Sequence, residues 1–172
     1  MNEEDEASIG IAYRRLKPFM FHALGSDFLK AAGDFQIQGD SSPVHYFLCC
    51  KSIELSLKAF LLTKGVSMSK LKSRKWVGHD LERALEEAEL RGLLDIVEVT
   101  CQCKEELRKA NYYYKSKQGF EYADEEEVLM RFGREFPSGK VLYELASTLV
   151  EKLRDVCSEC IYSLLAEKSK RE

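Results

Sequence analysis

The stretch "PVHYFLCCKSIELSLKAFLLTKG", residues 43–65, decides the fold because it predicts a long helix that is apolar on nearly every side. Ser42 can cap the free N–H groups, Pro43 suits the first helical position, and Gly65 follows the helix end at about residue 64. A helix with so wide an apolar surface is mostly buried. Its main apolar stripe consists of Tyr46, Cys49, Cys50, Ile53, Leu57, Phe60 and Leu61.

A narrow polar strip interrupts this apolar surface. Lys51, Glu54 and Lys58 lie three and four residues apart, so opposite charges can meet on one face of the helix. The strip is either a solvated edge with ion pairing or a functional strip. The sequence favours the solvated edge, since exposed ion pairs are common on helices.

The remaining chain carries the same helical signature. Apolar residues recur at intervals of three and four residues, Pro is scarce, and runs that alternate apolar and polar residues are missing. The sequence therefore predicts an all-α protein. Further helices are predicted at about 17–36, 80–91, 93–114 and 139–167. The first should bury Met20, Leu24, Phe28, Ala31 and Phe35, with a break near Gly25. The last should form one seam of Leu142, Leu145, Leu149, Leu153, Val156, Cys160 and Leu164.

The domain organisation is simple, because 172 residues suit one domain with its own core. We expect a flexible acidic tail at 1–15, a single helical-bundle domain at 16–167 and a short tail at 168–172. The polar stretch 115–138 resembles an insertion that faces a partner, with one short helix in "DEEEVLMRF" at 124–132.

Charge and composition exclude several functional classes. With a net charge of -3, the chain has no general attraction to a polyanion, and nucleic acid would need a local basic patch. The acidic N-terminus and the absence of an apolar run of about 20 residues predict a cytoplasmic protein without membrane contact. Phosphate loops, zinc-protease motifs and nucleophile elbows are missing, so no cofactor is expected.

The six cysteines are expected to remain thiols. Cys157 and Cys160 are spaced as C-x-x-C and Cys101 and Cys103 form a second pair, which leaves zinc binding as an alternative. A C-x-C pair on a helix points its thiols in different directions. The sequence therefore favours small apolar core residues and no metal site.

Two local basic segments are the candidate binding surfaces, "KLKSRK" at 70–75 and "RKANYYYKSK" at 108–117. Tyrosines beside lysines can stack on bases or contact phosphate, although packing and interface roles are equally compatible and more common. The predicted ligand or partner contacts are Lys72, Lys75, His79, Asp80, Asn111, Tyr113, Lys117 and Tyr122.

Three segments in this order resemble the HEPN family: "HYFLCCKSIELSLKAFLLTKG", "GHDLERALEEAELRGLLD" and "NYYYKSKQGFEYAD". The resemblance spans roughly residues 20 to 165, and the Gly-His-Asp-Leu segment after the long helix is its most specific part. It implies an up-and-down four-helix bundle with one or two short accessory helices. It also implies a homodimer and partners such as nucleotidyltransferases or toxin–antitoxin proteins.

Many members of this family are metal-independent ribonucleases that use an Arg-x4-6-His motif on a late helix, where histidine moves a proton and arginine stabilises phosphate charge. Here the only histidines are His22, His45 and His79, all outside the late helices. The spacing occurs at Arg74 to His79 and at Arg15 to His22. We therefore expect a non-catalytic module that binds a nucleotide, nucleic acid or protein, with a ribonuclease using Arg74 and His79 as the alternative. Asp80 should cap the following helix.

Overall fold

The computed structural model describes residues 3–35, 42–115, 136–159 and 161, with side chains from residue 16 onward. Most of these residues are helical and none forms a strand, which confirms the all-α prediction for this part of the chain. The helices are α1 Glu3–Asp34, α2 Pro43–Thr63, α3 Met68–Lys72, α4 Leu81–Glu89, α5 Cys101–Tyr114 and α6 Gly139–Lys152. A 3-10 helix at Leu93–Asp95 precedes α5, and residues 154–159 are helical again after a turn at Leu153.

Helix α2 is the centre of the fold and packs against α1, α4, α5 and α6. Every member of its predicted apolar stripe is buried. Its bounds match the prediction to within a residue, and Gly65 follows with a positive φ of 78°. Ser42 occupies the N-cap position without making a side-chain bond to the helix.

Helix α1 differs from its prediction in extent and orientation. It begins at Glu3, so most of the expected tail is helical, and Pro18 lies inside the helix. The predicted stripe is wrong, since Met20 and Leu24 are 45% and 47% exposed. Gly25 is buried instead and does not break the helix. A Cβ there would lie 3.0 Å from Oγ of Ser56, so close approach to α2 selects small side chains for this interface.

The helix predicted at 93–114 is interrupted, which corrects that prediction. Residues 97–100 are not helical, and Thr100 starts α5 by accepting a hydrogen bond from the backbone N–H of Cys103. A threonine offers both a good N-cap oxygen and a poor helix interior, so the sequence carried this signal.

The predicted seam of α6 is buried at its leucines and continues to Cys157 after the turn, whereas Val156 is only partly buried. The side chain of Cys160, Leu164 and the short helix predicted at 124–132 lie outside the described residues. Cys49, Cys50 and Cys157 are buried, but Cys101 is exposed and does not belong to the core.

No group of three or more metal-binding side chains occurs within the described ranges. No helix in that part of the chain has the length and apolar character to cross a bilayer.

Candidate functional site

Glu54 and Lys58 of the polar strip of α2 are buried under the turn that precedes α4, while Lys51 is partly exposed. Glu54 is 2% exposed and Lys58 is 7% exposed. Nζ of Lys58 lies 2.5 Å from Oε1 of Glu54 and 2.5 Å from the carbonyl oxygen of Gly78. Lys58 therefore links Gly78 to α2. The predicted ion pairing is present, but the predicted solvated edge is wrong. Buried charges of this kind persist when each has a partner.

Glu54 accepts hydrogen bonds from several surrounding donors. Nζ of Lys51 lies 3.2 Å from Oε2, and the hydroxyl of Tyr114 donates to the same oxygen. Burial alone would raise the pKa of Glu54, but the charge of Lys58 and the hydrogen bonds from Lys58 and Tyr114 lower it to about 2. Burial and the charge of Glu54 raise the pKa of Tyr114, so the phenol stays protonated and donates.

His79 is oriented by the same carboxylate and still faces solvent. Its Nδ1 lies 3.2 Å from both oxygens of Glu54, while its side chain is 62% exposed. The ring meets Tyr114 edge-on, with centroids 6.4 Å apart. Because a carboxylate accepts, Nδ1 carries the proton, and Nε2 of the neutral ring is an acceptor. The His79 ring can hold an anion when it is protonated, and its Nε2 can accept a proton when the ring is neutral.

Asp80 and Asn111 tie the start of α4 to α5. Oδ1 of Asp80 accepts from the backbone N–H of Arg83 at 3.2 Å, which confirms the predicted cap. The fully buried Asn111 donates to the same oxygen at 2.9 Å and accepts from the backbone N–H of Leu81 at 2.8 Å. Lys115 lies 3.1 Å from Oδ2 of Asp80. Burial raises the pKa of Asp80, but these hydrogen bonds outweigh it and lower the pKa. Both side chains therefore hold the turn in place.

Residues 72–79, the basic turn, connect α3 to α4. Lys72, Arg74 and Lys75 are exposed on it. Residues 70–83 carry five basic and two acidic side chains, a net charge of +3 on a chain of net charge -3. Gly78 has a φ of 54°, and a Cβ there would lie 3.1 Å from Cα of Arg74. The backbone of Arg74 thus lies beside the residue that precedes His79.

The three tyrosines at the end of α5 have separate environments. Tyr113, a predicted ligand or partner contact, is buried and stacks on Phe136 with centroids 5.5 Å apart, so it packs in the core. Tyr112 is exposed, and Tyr114 joins Glu54. Lys117 and Tyr122 lie outside the described residues. The predicted set omitted Glu54, Lys58 and Tyr114. For Glu54 and Lys58, the available signal was the presence of charged residues on so apolar a helix.

Comparison with known proteins adds no functional assignment to this geometry. No protein-family model matches the chain, and no curated protein or solved structure shows significant similarity to it.

Proposed function

We propose that the protein is a cytoplasmic, HEPN-like up-and-down four-helix module that binds a nucleic-acid strand at the basic turn. The observation that carries the proposal is the exposed imidazole of His79, which rests on buried Glu54 in a turn that also exposes Lys72, Arg74 and Lys75. Nucleic-acid affinity comes largely from cations that neutralise phosphates. The net negative charge of the whole chain restricts such contact to a local surface of this kind.

The basic turn is held in shape before any ligand arrives. Lys58 bonds to the carbonyl oxygen of Gly78, and Asn111 bonds to Asp80 and to the backbone of Leu81. A surface ordered in advance loses less conformational entropy on binding. This rigidity supports a recognition role for the turn.

The test is fluorescence anisotropy of a labelled single-stranded RNA at several salt concentrations. The variant Lys72→Gln/Arg74→Gln/Lys75→Gln should bind more weakly, and the slope of log K against log salt should fall by about 2, at about 0.7 per lost phosphate contact. The control Lys104→Gln/Lys152→Gln/Arg154→Gln removes the same charge from other exposed positions and should bind almost as the wild type does. Equal loss in both variants, or no binding by the wild type, would contradict the proposal.

The second candidate function is a metal-independent ribonuclease, favoured by the contact between Glu54 and His79. A carboxylate at Nδ1 orients an imidazole so that Nε2 can take the proton of a ribose 2'-hydroxyl. The 2'-oxygen then attacks the phosphate and displaces the 5'-oxygen of the next nucleotide, which leaves with a proton from water and gives a 2',3'-cyclic phosphate. Arg74 would stabilise the developing charge. Cleavage in the presence of EDTA that disappears in His79→Ala and Arg74→Ala, with the melting temperature retained, would establish this activity. No cleavage by the wild type leaves the binding function.

We also propose that the protein forms a homodimer. Met20 and Leu24 expose apolar surface one turn apart on α1, which is the kind of surface that a second copy can cover. Light scattering should give twice the chain mass of 19.8 kDa, and Leu24→Glu should shift it toward the monomer.

A further inference from the structure

A cavity of about 790 Å³ lies between the end of α1 and the starts of α2 and α6. It is distinct from the basic turn, which contacts α2 at Glu54. His45, on the cavity wall, lies about 13 Å before Glu54 along α2, at 1.5 Å per residue. Its volume is within the range of small-molecule sites, about 300–1,000 Å³. None of the described residues that line it is acidic.

Two helix N-termini reach the cavity. At the start of α6 the backbone N–H of Ser138 already donates to Oε2 of Glu106, so the start of α2 is the more positive of the two. Ser42 and His45 line it from the start of α2, while Ser138 and Lys140 line it from the start of α6. Neither first turn contains Asp or Glu, and Ser42 makes no side-chain cap bond to α2. The positive ends of helices and their free N–H groups favour an anion, phosphate above all.

A buried histidine faces the same space. His45 is 7% exposed and lines the cavity, and among the described residues its polar side-chain contact is with Sγ of Cys49, at 3.8 and 4.0 Å. A thiol is a weak partner, so the ring retains capacity for a hydrogen bond with a ligand. A Cβ at Gly139 would lie 3.2 Å from Nδ1 of His45, and the glycine keeps this approach open. Burial lowers the pKa of His45, which leaves a neutral ring with one donor and one acceptor.

The cavity wall is aromatic and flat. His45 stacks with Tyr143 at 6.2 Å between centroids, and Tyr46 stacks with Phe136 at 5.9 Å. All four rings line the cavity. Phe136 also stacks on Tyr113, so it already packs against two rings. The partly exposed ring of Tyr143 is the part of the wall on which a planar heteroaromatic ring can stack.

We propose that this cavity is a second binding site, which takes a mononucleotide-sized compound with its phosphate at the start of α2 and its planar ring against the aromatic wall. His45 supplies the buried hydrogen bond. Lys140 at the rim supplies a cation, since its side chain is 83% exposed and its Nζ comes no closer than 3.9 Å to Glu144.

Isothermal titration of the full chain tests the site with AMP and UMP as probes, and with adenosine and inorganic phosphate as their separate parts. A mononucleotide should bind at least about tenfold more tightly than either part, because both subsites then act together. His45→Phe keeps the ring and removes its nitrogens, and should weaken binding by about tenfold. Lys140→Gln should weaken it by severalfold, whereas Lys104→Gln should not.

The variant Lys72→Gln/Arg74→Gln/Lys75→Gln separates this site from the basic turn, since it should retain mononucleotide affinity while losing RNA. Absence of mononucleotide binding by the wild type at millimolar concentration would overturn the proposal. So would unchanged affinity in both His45→Phe and Lys140→Gln, or phosphate that binds as tightly as AMP. If His45→Phe does not fold, Tyr143→Leu, which removes a ring of the aromatic wall, and Lys140→Gln serve as the remaining pair.

Discussion

Nζ of Lys58 lies 2.5 Å from Oε1 of Glu54, with both residues more than nine-tenths buried in the centre of a mostly apolar helix. Lys58 also bonds to the carbonyl oxygen of Gly78, and Glu54 bonds to His79 and Tyr114. The pair therefore links the central helix to the basic turn and to α5. The stability of the core and the geometry of the candidate site depend on the same two charges.

Removing one member of this pair should be far more harmful than removing both. Glu54→Ala leaves the ammonium of Lys58 buried without its counter-ion and should cost about 3–5 kcal/mol of unfolding free energy. Glu54→Met/Lys58→Met replaces the pair by apolar side chains and should recover most of that loss. Urea denaturation followed by circular dichroism measures both. A double variant no more stable than Glu54→Ala would contradict this account.

The low pKa of Glu54 predicts a specific loss of stability in acid. Because its folded pKa is about 2 and its ordinary value is 4.5, its contribution is present above 4.5 and is lost as pH falls from 4.5 to about 2. The shift corresponds to about 3 kcal/mol at about 1.4 kcal/mol per pKa unit. Asp80 acts in the same direction. Unfolding free energy measured against pH should therefore decline through this window.

Glu54→Gln isolates the share of Glu54, because the amide does not titrate. The stability difference between wild type and Glu54→Gln should be largest near neutral pH. It should shrink as the pH falls toward about 2, the folded pKa of Glu54. A difference that is constant across this range would show that Glu54 is not the titrating group.

Two glycines with positive φ provide a matched test of crowding at the basic turn. A Cβ at Gly65 meets nothing within 4 Å, so Gly65→Ala should cost only the conformational strain of about 1 kcal/mol. A Cβ at Gly78 lies 3.1 Å from Cα of Arg74, and Gly78→Ala should cost clearly more. Thermal denaturation compares the two. Equal losses would mean that the approach of Arg74 to Gly78 does not constrain the turn.

The sequence predicted the all-helical class, the bounds of α2 and the Asp80 cap because these depend on local signals: apolar periodicity, a proline at a helix start and a short polar side chain before a helix. The sequence did not predict which face of α1 is buried, because that face contains Gly25 and His22 in place of large apolar side chains. Nε2 of His22 donates a hydrogen bond to the carbonyl oxygen of Val150 at 2.7 Å, a partner 128 residues away.

The candidate site was predicted only in part, for a related reason. His79, Asp80 and Asn111 were in the predicted set, whereas Glu54, which positions His79, was not. Glu54 precedes His79 by 25 residues, and Asn111 follows Asp80 by 31. Charge pairing between i and i+4 was visible in the sequence, whereas burial of that pair under a distant turn depends on tertiary packing.

Asn111 is expected to control the local stability of the basic turn at its α4 end. Its Oδ1 accepts from the backbone N–H of Leu81, so Asn111→Ala leaves that buried donor without its partner and should cost about 2 kcal/mol. Hydrogen exchange at Leu81 should accelerate in Asn111→Ala. Gln102→Ala, at an exposed position of the same helix, should change stability by less than about 0.5 kcal/mol and leave this exchange unchanged. If Leu81 exchanges equally fast in the wild type and in Asn111→Ala, the buried amide does not hold the start of α4, and the rigidity that supports ligand binding must have another source.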